Sequence, residues 1–252
     1  PFAWKLDPLT GERQRMEGTV YHASPDGRLL VSANMTTMGR TQPGYGVVVP
    51  RETVRRNVGP PDDDGFTPTD SASGRVVRRF SVRELLERAQ PRALFENLEQ
   101  LEIYGFHSKF NPQGDRLMLS LRAFPVDLES EWNAFRHHGH VRFAWIVTDL
   151  EGENTHCAVG PEHWIHGGHH ATWFPDGEHI SMNLRLGGGE MRFVQVRYDG
   201  SGLRAMLENV RGSGHPTVSS DGTHILTDSY TGEKGIAFED GSVPLRWVDL
   251  HN

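Results

Sequence analysis

Apolar and polar residues alternate with period two in short runs along most of this chain. The clearest are RLLVSANM (28–35), RLMLSLRA (116–123), EHISMNLR (178–185) and THILTDSY (223–230). Strict alternation marks strands with one face in a core and the other in polar surroundings. Each run follows a tight-turn signal: SPDG (24–27), NPQG (111–114), FPDG (174–177) and SSDG (219–222). A glycine after Asp or Gln supplies the positive φ that a hairpin turn needs. A second turn class comes downstream, as DPLTG (7–11), DSASG (70–74), DLEG (149–152) and DGSG (199–202). Two of these close long extended runs, RFAWIVTDL (142–150) and MRFVQVRYD (191–199), and most lead into another short strand, as in GRVVRRFSV (74–82).

The unit is therefore strand, first turn, strand, variable loop, strand, second turn, strand. Four antiparallel strands repeated radially make an all-β protein, a β-propeller. Full blades are expected at about 18–80, 103–160 and 168–210, with most of another at 214–250 and the last strands of one more at 1–16. Successive first-turn glycines stand 87, 63 and 45 residues apart (27 to 114, 114 to 177, 177 to 222). The widest gap carries an inserted loop and helix region at about 39–100. It holds two Pro/Gly/Asp-rich loops, GRTQPGYG (39–46) and PPDDDGF (60–66), and one helical stretch from Ser81. Ser81 with Glu84 reads as a capping box, and Pro91 as the break. The reading is a single propeller domain over 1–252. It starts in mid-strand at PFAWKLDPLTG and stops at WVDLHN, which suggests a part of a larger ring of about seven blades.

Composition narrows the function classes. Of 252 residues, 36 % are hydrophobic and 23 % charged, an ordinary globular balance, and the net charge is −7. That charge gives no footprint for nucleic acid. No apolar run approaches the roughly 20 residues of a membrane span. A single cysteine, Cys157, rules out an internal disulfide framework.

Histidine carries the candidate chemistry. His107, His170 and His215 each stand seven residues before a first-turn glycine, at 114, 177 and 222. Equal spacing on equivalent strands gives equal depth along the first strand of each blade, the one that lines a propeller axis. The three imidazoles are expected around one axial pocket. There they could hold a divalent ion such as Zn or Mn, or supply a general base. The alternative is structural, with each ring bonded to a neighbouring blade. HWIHGGHH (163–170) adds His163, His166 and His169, with His163 and His166 reading as a polar loop. RHHGH (136–140) reads as a solvated loop. Arg185 and Arg122 hold matching places on the second strands, and Arg142 and Arg192 open third strands. Guanidinium forks match carboxylates, so arginine beside histidine suits removal of a proton α to a uronate carboxylate. PPDDDG is a weaker Ca²⁺ candidate.

HASPDGRLL, HATWFPDGEHI and GHPTVSSDGTHILTD resemble the repeats of TolB-like propellers. More specifically, they resemble bacterial propeller-fold polysaccharide lyases of the oligogalacturonate and ulvan lyase types. RTQPGYG and GHPTVSSDG are the distinctive pieces. The resemblance implies β-elimination on an acidic, uronate-containing oligosaccharide, in the bacterial cytoplasm or periplasm. It assigns His107 or His170 as base, Arg185 as carboxylate clamp, and His170 with His215 as ligands of a divalent metal. Arg142, Arg192 and Tyr45 are the accompanying substrate-binding residues. The oligogalacturonate lyases add a glutamine ligand before HP, where this chain has Arg211, Gly212, Ser213 and Gly214. The ulvan lyases use a His, Tyr and Arg set, and here Ala171 follows His170. The other reading is a non-catalytic TolB-like propeller that binds a protein or glycan on its axial face.

Overall fold

A computed structural model describes residues 1–128 and 141–251. RHHGH (136–140), read from the sequence as a solvated loop, lies outside them. The chain divides into two compact units, Pro1–Pro161 and Glu162–Asn252.

The first unit opens with a two-stranded hairpin, β1 (Ala3–Leu6) and β2 (Arg13–Met16). Two four-stranded antiparallel sheets follow in meander order. One is β3 (His22–Ala23), β4 (Leu29–Ala33), β5 (Gly65–Asp70) and β6 (Phe80–Ser81). The other is β7 (Leu101–Phe110), β8 (Arg116–Pro125), β9 (Arg142–Asp149) and β10 (His156–Val159). The second unit repeats the plan with β11 (Gly168–Trp173), β12 (His179–Arg185), β13 (Met191–Arg197) and β14 (Arg204–Ala205). It ends with a three-stranded sheet of β15 (Thr217–Val218), β16 (His224–Thr227) and β17 (Arg246–Asp249). These are propeller blades, at the places the alternation predicts.

The turns obey the predicted chemistry. Gly177 has φ +67° and Gly222 has φ +74°, values a side chain would strain. The preceding aspartate folds back on the turn. Asp176 Oδ1 accepts from the amides of Glu178 and His179, each at 2.9 Å, and Asp221 Oδ1 from that of Thr223 at 3.0 Å. The first hairpin of every blade then shares one register: Ala23 faces Leu30, Phe110 faces Leu117, Trp173 faces Ile180, and Val218 faces Ile225.

In the first unit the two blades pack through fully buried Phe66, Phe80, Phe106, Ile103, Leu119 and Ile146. The approach is close at Gly105, where a Cβ would lie 2.8 Å from the Phe66 ring. The second unit buries Ile180, Met182, Leu184, Phe193 and Val196.

The insertion departs from its sequence reading in one respect. GRTQPGYG is not all loop, because its start belongs to a helix, α1 (Met35–Thr41). Asn34 caps it, its side chain accepting from the amides of Thr36 and Thr37. The helix from Ser81 runs Val82–Arg88 (α2), with the Ser81 hydroxyl accepting from the Glu84 amide at 3.0 Å. Its Glu84 side chain pairs with Arg78.

Candidate functional site

In the second unit the strand holding His170 is bulged. His169 faces Asn183 and Thr172 faces Ser181, so His170 and Ala171 together oppose one residue. His170 takes φ +55° there, which turns its ring out of the regular pleat. Bulges commonly re-aim a side chain in this way beside functional sites. The ring meets a tyrosine from another blade of the unit, with Tyr230 Oη 2.6 Å from His170 Nε2. The His215 ring centre is 4.0 Å from that of His170, and the His169 centre is 4.8 Å away. Sequence spacing thus brings His170 and His215 together as expected, with His169 as a third neighbour.

Each ring is held by a different partner. His215 donates its Nδ1–H to both Asp228 oxygens at 3.0 Å, and its backbone amide donates to Asp228 Oδ1 at 2.6 Å. Gly214 makes this possible, because a Cβ there would lie 2.1 Å from the Asp228 carbonyl oxygen. Asn183, fully buried, donates through Nδ2 to Gly214 O at 2.9 Å and to His169 Nδ1 at 3.2 Å. Burial, with the His215 charge adding to it, pushes His169 down to about 4, so it is neutral at physiological pH. Tyr230 sits in the loop after β16, which Glu233 ties down. Glu233 accepts from the Ser213 hydroxyl and from the Tyr230 amide.

Cations flank this cluster. Arg185 ends β12, donates to Gly189 O at 3.1 Å, and adds its own charge to the depression of His169. Arg185, Arg211 and Lys234, with Glu190, line an open hollow of about 500 Å³. Arg192 turns to an ion pair with Glu190 at 2.9 Å. His163 and His166 are exposed, but His163 lies in a one-turn helix, Pro161–Trp164, rather than the polar loop expected.

His107 belongs to the first unit and also lies in a bulge, as the second residue of its pair where His170 is the first of its own. Gly105 faces Leu121 and Ser108 faces Leu119, leaving Phe106 and His107 opposite one residue. Its ring stacks on Tyr21 at 5.1 Å and lies 4.0 Å from Phe106, which Tyr45 meets edge-on at 5.0 Å. Arg142 opens β9 opposite Ala123.

No family model and no curated protein matches the chain. Solved structures do match. Hydrazine synthase of Kuenenia stuttgartiensis aligns over 97 % of this chain and 64 % of its own, at 13 % identity and TM-score 0.51. A putative TolB from Agrobacterium tumefaciens aligns over 98 % and 70 %, at 16 % identity and TM-score 0.49. An oligogalacturonate lyase in complex with manganese aligns over 97 % and 83 %, at 12 % identity and TM-score 0.34. The chain is a β-propeller. Likeness at these identities speaks to the fold alone, and the chain spans under two thirds of the hydrazine synthase subunit. No helix among the described residues is long and apolar enough to cross a membrane.

The expected divalent metal does not fit the donors as they stand. His170 Nε2 meets the Tyr230 hydroxyl, His215 Nδ1 meets Asp228, and His169 Nδ1 accepts from Asn183. Among the described residues no three His, Cys, Asp or Glu side chains converge on one point. The PPDDDG carboxylates are likewise engaged by protein. Asp62 pairs with Arg83, Asp63 with Arg55, and buried Asp64 accepts from Asn34, Thr37 and Asn57.

Tyr230 and Asp228 escaped the sequence reading, and register could have found one of them. Counting the β15–β16 hairpin outward from Thr217 opposite Leu226 sets His215 opposite Asp228. Nothing local marks Tyr230, because its approach to His170 depends on how neighbouring blades pack.

Proposed function

We propose that the second unit carries a lyase site that cleaves an acidic oligosaccharide by β-elimination. The contact of His170 with Tyr230 at 2.6 Å carries this reading. An imidazole and a phenol in one hydrogen bond can exchange a proton, and Tyr230 is 43 % exposed, so its oxygen can meet a substrate. The chemistry needs a cation for the carboxylate, a base for the α-proton, and an acid for the leaving oxygen.

Arg185 supplies the cation. Its charge holds the uronate carboxylate and stabilises the enolate-like anion that forms as the α-proton leaves. His170 takes the phenolic proton of Tyr230. The phenolate then removes the proton on C5, the C4–O bond breaks as the C4=C5 bond forms, and His170 returns its proton to the leaving oxygen. Tyr230 ends as phenol and His170 as neutral imidazole, so the pair is reset. Tyr230 takes the place of the tyrosine absent after His170, and Arg211 and Lys234 extend the positive surface for further anionic groups.

The test is the appearance of ultraviolet-absorbing unsaturated product from uronate-containing oligosaccharides. Tyr230→Phe and His170→Ala should each reduce its rate by about 10²–10⁴-fold, the usual loss for an acid–base group. Arg185→Ala should slow uronate substrates most. If no uronate oligosaccharide gives unsaturated product, or if Tyr230→Phe keeps full rate, the lyase reading is wrong and a binding propeller is the better account.

A further inference from the structure

The loop GRTQPGYG takes no part in that chemistry, yet it is built to tight tolerance. A Cβ on Gly39 would lie 2.3 Å from Val47 O, and one on Gly46, at φ +69°, would lie 2.2 Å from Met35 O. The loop is thereby folded back on α1, with the Val47 amide donating to Met35 O at 3.0 Å and the Tyr45 amide to Gln42 O at 3.1 Å. Two side chains are delivered to one place. Gln42, nearly buried, accepts from Arg122 Nη1 at 2.5 Å. Tyr45 lies edge-on to Phe106.

Arg122 spreads its guanidinium 3.6 Å over the Phe106 ring and 5.0 Å from that of Phe143. It is partly buried, and burial pushes it down to about 9, against the pull of the Tyr45 and Tyr21 hydroxyls. It therefore stays charged at neutral pH. Around it stand two outward aromatic faces, Tyr21 at 38 % exposure and Tyr45 at 47 %, with His107 stacked on Tyr21. Rings for the apolar side of a sugar, with a few fixed polar groups, are the usual makeup of a carbohydrate pocket.

We propose that Tyr21, Tyr45, His107 and Arg122 of the first unit form a binding site for a carboxylate-bearing sugar ring. The tyrosine rings cover the C–H face of the sugar. Arg122 meets the carboxylate, and His107 meets a hydroxyl. The site takes its ligand class from the acidic-glycan reading above but needs none of its catalytic residues.

The experiment is calorimetric titration of the full chain carrying His170→Ala and Arg185→Ala, which removes turnover and the second unit's clamp. The probes are a dihexuronate and the same disaccharide with its carboxylates reduced to alcohols. The dihexuronate should bind and the reduced sugar should bind at least tenfold more weakly. Adding Tyr45→Ala should weaken the dihexuronate by roughly tenfold, the worth of one ring contact. Tyr21→Ala should do the same, with urea unfolding of each variant as the check that the fold is kept. Absence of binding, equal binding of both sugars, or indifference to both tyrosine substitutions overturns the proposal. Loss of the lyase reading shows up separately, as missing ultraviolet product in the unsubstituted protein.

Discussion

His169 should make this protein lose stability in mild acid. In the folded chain its imidazole is held at about 4, whereas in the unfolded chain it returns to its ordinary 6.5. A depressed folded value means that the unfolded state binds the proton first as pH falls. The stability linked to the group is therefore complete above about pH 6.5 and drains away toward pH 4. Linkage with these two values gives a loss of about 1.4 kcal/mol at pH 5.5 and about 2.5 kcal/mol at pH 4.5. These are upper figures, because the ring keeps some contact with solvent. Burial also depresses His22. The decisive quantity is the difference between the protein and His169→Gln, whose amide oxygen can still accept from Asn183. Urea unfolding of both at pH 7.5, 5.5 and 4.5 isolates it. The two stabilities should converge by about the stated amounts as pH falls. Parallel pH curves would refute the argument, since they would mean that His169 takes up its proton equally well in both states.

Two further substitutions test the fold around the sites. Glu102 is fully buried and pairs with Arg40 and Arg56, so Glu102→Ala strands buried Arg40 and should cost about 3–5 kcal/mol in urea unfolding. Gly46→Ala places a Cβ on the Met35 carbonyl at a positive φ, and should cost more than about 1 kcal/mol while weakening dihexuronate binding at Tyr45.

Blades were legible because every level of the pattern agreed. The period-two runs and the glycines at positive φ impose the same hairpin register, and His107 and His170 each fall within a bulge, although the two bulges are offset by one residue. Spacing alone could place a histidine at a depth on its strand. It could not say which groups would meet it there. His170 gains Tyr230 and His215 gains Asp228, while His107 gains Tyr21 and Phe106. The contacts of His170 with Tyr230 and of His107 with Tyr21 depend on packing between blades, which no count along the chain contains. The metal expectation counted imidazoles, whereas a ligand is an imidazole nitrogen aimed at a shared point, and one nitrogen each of His170, His215 and His169 meets a phenol, a carboxylate and an amide. Arg185 shows the converse. Its place at the end of β12 followed from the repeat, and there it lines a hollow with Arg211 and Lys234. Charge concentrated by position needs less orientation than a metal shell or an acid–base pair. That is why the place of the arginine on its strand could be read from the sequence and the contact of the tyrosine could not.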